Sequence, residues 1–92
     1  MANTYDPKSL IKSHTLLHAE NSVIGTKIIV NVNAFEPKYL DAVLTEVVPG
    51  IRGAVTVHYV AENGKKNRII LHTQKEVEAS LRGGRFPQAY LA

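Results

Sequence analysis

Apolar and polar residues alternate with a period of two on both sides of a single turn signal. The stretch Gly53 to Thr73 reads GAVTVHYVAENGKKNRIILHT, two strand-like runs flanking Glu62-Asn63-Gly64. A two-residue Asn63-Gly64 loop would mix polar and apolar groups on both faces of the hairpin. A three-residue loop, with a type I turn and Gly64 in the left-handed conformation, pairs Ala61 with Lys65. Val55, Val57, Tyr59, Ile69 and Leu71 then share one face, and Thr56, His58, Val60, Lys66, Arg68, Ile70 and His72 share the other. Because a one-residue slip turns every side chain of a strand over, the buried face selects the three-residue loop.

The pattern upstream predicts a strand over Thr26 to Phe35, with Ile28, Val30, Val32 and Ala34 on one side and Lys27, Ile29, Asn31 and Asn33 on the other. Glu36 to Val48 reads as a helix. Pro37 suits its first turn, Phe35 can staple onto Leu40, and Tyr39, Leu40, Val43, Leu44 and Val47 form an apolar stripe that Pro49-Gly50 ends. Asp6-Pro7 opens an earlier helix through Leu10, Ile11, His14, Leu17 and His18, with a strand and turn over Leu16 to Ser22 as the alternative for its second half. Met1 to Asn3 reads as a loose terminus. Thr73-Gln74-Lys75-Glu76 is a capping box that starts a helix carrying Val77 and Leu81 and ending at Gly83-Gly84. The tail from Arg85 to Leu91 is either a docked extended segment or one more edge strand. The order β-α-β-β-α predicts the α+β class: a small antiparallel sheet, ferredoxin-like or similar, with helices packed on one face and the other face open.

Composition narrows this picture. At 92 residues, 45% apolar and 21% charged, the chain has the make-up of one folded domain, residues 1–92, with a modest core. It contains no cysteine, which excludes disulfides and thiolate metal sites, and it shows neither a secretory signal nor an apolar run long enough for a bilayer. Cytoplasmic is the expected location. The net charge of +3 is uneven. Residues 1–50 set Lys8, Lys12, Lys27 and Lys38 against Asp6, Glu20, Glu36, Asp41 and Glu46, a balance of −1. Residues 51–92 set Arg52, Lys65, Lys66, Arg68, Lys75, Arg82 and Arg85 against Glu62, Glu76 and Glu78, a balance of +4. Such asymmetry fits attraction to nucleic acid, to an acidic protein or to a membrane surface, and it fits a solubilising surface equally well.

The residue types argue against chemistry. His14 and His18 stand four apart, as two ligands on one helical turn would, but no third ligand is spaced to join them. His58 and His72 lie in different strands and out of line. The carboxylates form no pair across a cleft, and no serine sits in a G-x-S-x-G elbow. Arg82-Gly83-Gly84-Arg85 follows a helix, whereas a phosphate loop opens one. No catalytic residue, metal or cofactor is expected. The open face is different: it presents Lys27, Asn31, Asn33, His58, Lys66, Arg68 and His72, with Lys65 at the hairpin tip and no carboxylate. Arg82 and Arg85, beside Phe86 and Tyr90, make a second basic cluster. Arginine and lysine contact phosphates or acids, and Asn and His bond bases or sugars. The stacking aromatics of RNA-recognition motifs are missing, because the corresponding positions hold Ile29, Asn31, Arg68 and Ile70.

In size, single-domain layout and lack of active-site residues the chain resembles the small phage-encoded inhibitors of the anti-CRISPR type. The resemblance implies a protein that occludes a nucleic-acid-binding or nuclease surface on a host complex. The expected function is a non-enzymatic module that docks through its basic sheet face and hairpin tip on a nucleoprotein complex or an acidic protein surface. A small protein binding RNA or DNA directly is the alternative, and self-association is compatible with Ile29, Val60 and Ile70 on the open face.

Overall fold

The computed structural model describes residues 5–33 and 35–92. Helix α1 spans Pro7–Ser13, and strands β1 to β4 follow as Lys27–Asn31, Tyr39–Pro49, Val55–Ala61 and Lys66–Leu71. Helix α2, Gln74–Arg82, then leads to β5, Ala89–Leu91. The five strands form one antiparallel sheet in the order β4-β3-β2-β1-β5. The fold is α+β. The order is not that of a ferredoxin-like sheet, since β1 to β4 meander and β5 returns beside β1 after α2 crosses over. The expectations for Met1 to Asn3 and for Ala34 lie outside the described residues.

The 53–73 hairpin has the expected register. Val60 pairs with Lys66 and Val55 with Leu71, the Ala61 N–H donates to Lys65 O at 2.9 Å, and Gly64 takes φ +82°. The Gly64 N–H closes the turn on Ala61 O at 2.8 Å, and Asn63 Oδ1 accepts from the Lys65 N–H. Positive φ at Gly64 is the conformation that only glycine adopts without a steric cost.

The helix expected over Glu36 to Val48 is absent; Tyr39–Pro49 is the central strand. A β-bulge explains why its sequence looks helical. Pairing runs Leu44↔Tyr59 and then Glu46↔His58, so Thr45 is an extra residue in β2. Before it Leu40, Ala42 and Leu44 point into the core; after it Val47 does. The phase slip sets Leu40, Leu44 and Val47 at i, i+4 and i+7, the spacing of a helical stripe. The cap-like start has a local cause too. Asn33 Oδ1 accepts from the N–H groups of Phe35 and Glu36, and Asn31 Oδ1 accepts from those of Asn33 and Lys38, so these amides shape the β1–β2 connection and not a helix end. Past Pro49-Gly50 the chain reverses through Arg52 and Gly53, both at positive φ (56° and 77°).

The sheet is covered on both faces, and the two helices do not share one. On one face Ile28, Val30, Leu40, Leu44, Val57, Tyr59 and Leu71 pack with Leu17, and α2 flanks them through Val77 and Leu81 around a cleft of about 180 Å³. On the other, Leu10 of α1 packs with Ile29, Tyr39 and Tyr90. Asp6 caps α1, accepting from the Lys8 N–H, and the helix stops at Ser13, short of the expected His18. The chain then runs past the β5 edge, where the Leu17 N–H donates to Ala89 O at 3.1 Å and the Leu91 N–H to Thr15 O at 2.8 Å. His18 caps a 3-10 turn over Ala19–Asn21. Glu20 next to it accepts the Gln74 N–H at 3.0 Å, and that bond holds its carboxyl below the ordinary range. At α2, Thr73 accepts from the Glu76 N–H as expected, but the Glu76 carboxylate turns to His72 at 3.3 Å and leaves the box half made. Among the described residues no helix is long and apolar enough to cross a membrane.

Deleting Thr45 takes out the one extra residue, so Leu44, Glu46 and Val47 keep their partners Tyr59, His58 and Val57 and their faces in an unbroken alternation. The expected change is small, within about 1 kcal/mol, read as a nearly unchanged urea midpoint. A deletion that cost several kcal/mol would refute this account of the bulge.

Candidate docking face of the sheet

Three cross-strand rows build the uncovered part of the face that α1 shares. Lys27, Val43, Val60 and Lys66 form the first, Glu46, His58 and Arg68 the second, and Val48, Thr56 and Ile70 the third. Side chains directly opposite on neighbouring strands stand close enough to act as one surface. An open groove of about 570 Å³ follows the second row, lined by Glu46, His58, Val60, Lys66, Asn67 and Arg68. Val43, Val48 and Ile70 are 40%, 42% and 56% exposed, so the floor of this face is apolar while its outer strand is basic. Lys65 extends the positive end at the hairpin tip.

The structure gathers Lys27, His58, Lys65, Lys66 and Arg68 on this face and its tip, and it separates the rest. The side-chain oxygens of Asn31 and Asn33 are committed to the β1–β2 connection. Arg82 lies in the last turn of α2, and Arg85 lines the cleft beside Leu17 and Leu71, on the opposite face. The expected cluster around them dissolves, because Phe86 is exposed and Tyr90 is fully buried under α1. His72 stands past the end of β4 and pairs with Glu76.

The face also carries a carboxylate, contrary to expectation. Once residues 39–49 are a strand, Glu46 lands 3.5 Å from His58 Nε2. Both side chains are well exposed, so solvent screens the pair and it adds little to stability. Val43, Val48 and Glu46 are the residues that sequence reasoning missed. Their signal was the β-branched density of Val43-Leu44-Thr45-Glu46-Val47-Val48, which favours a strand over a helix. Asp41 sits on the same face further toward α1, where it accepts a hydrogen bond from the Tyr5 hydroxyl.

The tyrosine cluster under α1 bounds the site. Tyr39 donates to Pro87 O at 2.7 Å, its ring centre lies 5.7 Å from that of Tyr90, and the Tyr90 hydroxyl has no hydrogen-bond partner among the described residues. Burial raises Tyr39 well above the usual phenol value, with the neighbouring Tyr90 adding to it, and burial raises Tyr59 and Tyr90 as well. Among the described residues no three His, Asp or Glu side chains converge as a metal site requires.

Compared with known protein families, curated proteins and solved structures, the chain matches none of them.

The raised phenols tie stability to alkaline pH. The unfolded chain releases these protons near pH 10 while the folded chain keeps them, so folding stability is full below that pH and falls above it. The expected loss is up to about 1.4 kcal/mol per buried tyrosine per pH unit. Absorbance at the phenolate band should rise for these three only as the protein unfolds; ionisation of all three in the folded state would contradict it.

Proposed function

We propose that the protein is a non-enzymatic docking module of the inhibitor type, which presents the uncovered half of its sheet to an acidic protein or nucleoprotein surface. The observation that supports this reading most is the adjacency of Lys66 and Arg68 with exposed Ile70 on one outer strand, backed by Val43, Val48 and Val60. An apolar centre with a charged rim is the anatomy of a protein interface. Among the described residues no Phe, Tyr or Trp stands on this half for a base to stack on, which favours a protein contact over direct reading of single-stranded nucleic acid. Occlusion of a nucleic-acid-binding surface, as in anti-CRISPR proteins, is the activity that such a face would serve.

The test is affinity capture of a partner from the native host, with and without nuclease, followed by titration in increasing salt. A Lys66→Glu, Arg68→Glu double variant should weaken the captured complex by about tenfold or more while leaving the unfolding midpoint in place. Free oligonucleotides should bind weakly. Tight oligonucleotide binding with a steep salt slope would favour the direct nucleic-acid reading instead, and an unaffected double variant would remove the face from the interface.

A further inference from the structure

Among the described residues the outer edge of β4 is the uncovered edge of the sheet. In an antiparallel ladder the pairs that exchange backbone bonds alternate with pairs that do not. The Ala61–Lys65 bond places Tyr59/Asn67, Val57/Ile69 and Val55/Leu71 among the bonded pairs. The N–H and C=O groups of Lys66, Arg68 and Ile70 therefore point away from β3. Other edges are protected. The segment Thr15–Leu17 bonds along β5, and Pro49 occupies a position on β2 whose N–H would point outward. On β4 Asn67 Oδ1 covers the Arg68 N–H at 2.8 Å, and no described residue bonds the outward amides of Lys66 and Ile70.

Building on the docking reading above, we infer that the partner supplies an extended acidic segment that adds to this edge as a sixth strand, antiparallel to β4. Strand addition takes its affinity from main-chain bonds and its selectivity from alternate side chains. On the docking face the added strand stands beside Lys66, Arg68 and Ile70, which calls for two acidic residues and one apolar residue at alternate positions. The outward carbonyls need donors and the outward N–H groups need acceptors, and a phosphate backbone offers acceptors only. A second copy of this chain fits poorly, since two-fold pairing centred on Arg68 sets that guanidinium against its own copy. The incoming strand has one local contact to displace, the Asn67 side chain on Arg68.

The test uses an end-blocked peptide of about eight residues that carries Val, Glu and Glu in that order at alternate positions with Thr between them, long enough for one strand, titrated into the labelled full chain. The amide signals of Lys66, Arg68 and Ile70 should shift and exchange about tenfold more slowly, while those of Asn67, Ile69 and Leu71, already bonded to β3, change little. Ile70→Pro removes an outward N–H without touching a β3 bond, so it should weaken the peptide by about tenfold where Ile70→Thr does not. The same peptide N-methylated on alternate residues makes the test independent of how the proline variant folds, and it should not bind. Equal binding of the methylated and parent peptides, or no binding of the parent, overturns strand addition. If the Lys66→Glu, Arg68→Glu variant still loses the captured partner in that case, face docking stands without the edge; if it keeps the partner, both readings fall.

Discussion

The phase of the central strand is the constraint on which the rest depends. β2 lies between β1 and β3, so each of its side chains is assigned to a face that two neighbouring strands must share. An unbroken alternation from Leu40 would bring Glu46 inward and turn Val47 outward, a choice the core cannot accept. The extra residue at Thr45 resolves the conflict locally. It keeps Leu40, Ala42, Leu44 and Val47 on one core face and delivers Glu46 and Val48 to the other. The same slip therefore makes the core continuous and composes the docking surface.

That surface is a remainder as much as a construction. α1 is short, and Leu10 is its one buried residue, yet with Ile29, Tyr39 and Tyr90 it closes the β1–β5 end of the face. Among the described residues nothing comparable packs on the β3–β4 end. The chain has spent its second helix on the opposite face, where α2 flanks Leu71 and Leu17. What stays open is the part of the sheet whose outer strand carries Lys66 and Arg68.

Legibility in the sequence followed the range of the interactions. The Asn63-Gly64 hairpin, the Asp6 cap and the Thr73 cap were readable because each is decided within a few residues. β2 was not, because the bulge rewrites a period of two as helical spacing and because Phe35 and Pro37 imitate a helix start where the Asn33 side chain shapes a loop. The side on which α1 docks was invisible for a different reason. It depends on Tyr90, far along the chain, and no local pattern ties Leu10 to that ring. Of the candidate residues, those on the hairpin kept company because their register was local. Asn31 and Asn33 were taken up by the connection between β1 and β2, and Arg82 and Arg85 lie with α2 and the cleft on the opposite face.

The crossover from β4 through α2 to β5 divides the molecule by the order in which it can assemble. β1 to β4 join neighbours in sequence through short connections, so their pairing closes small loops and is fast. β5 must instead find β1 across the whole sheet and then accept Thr15–Leu17 along its outer side, two closures of long span. Tyr90 and the bonds around it thus act as a late latch that holds residues 15–17 and residues 89–91 together. The hairpin that carries Lys66 and Arg68 lies outside that latch, at the opposite edge of the sheet.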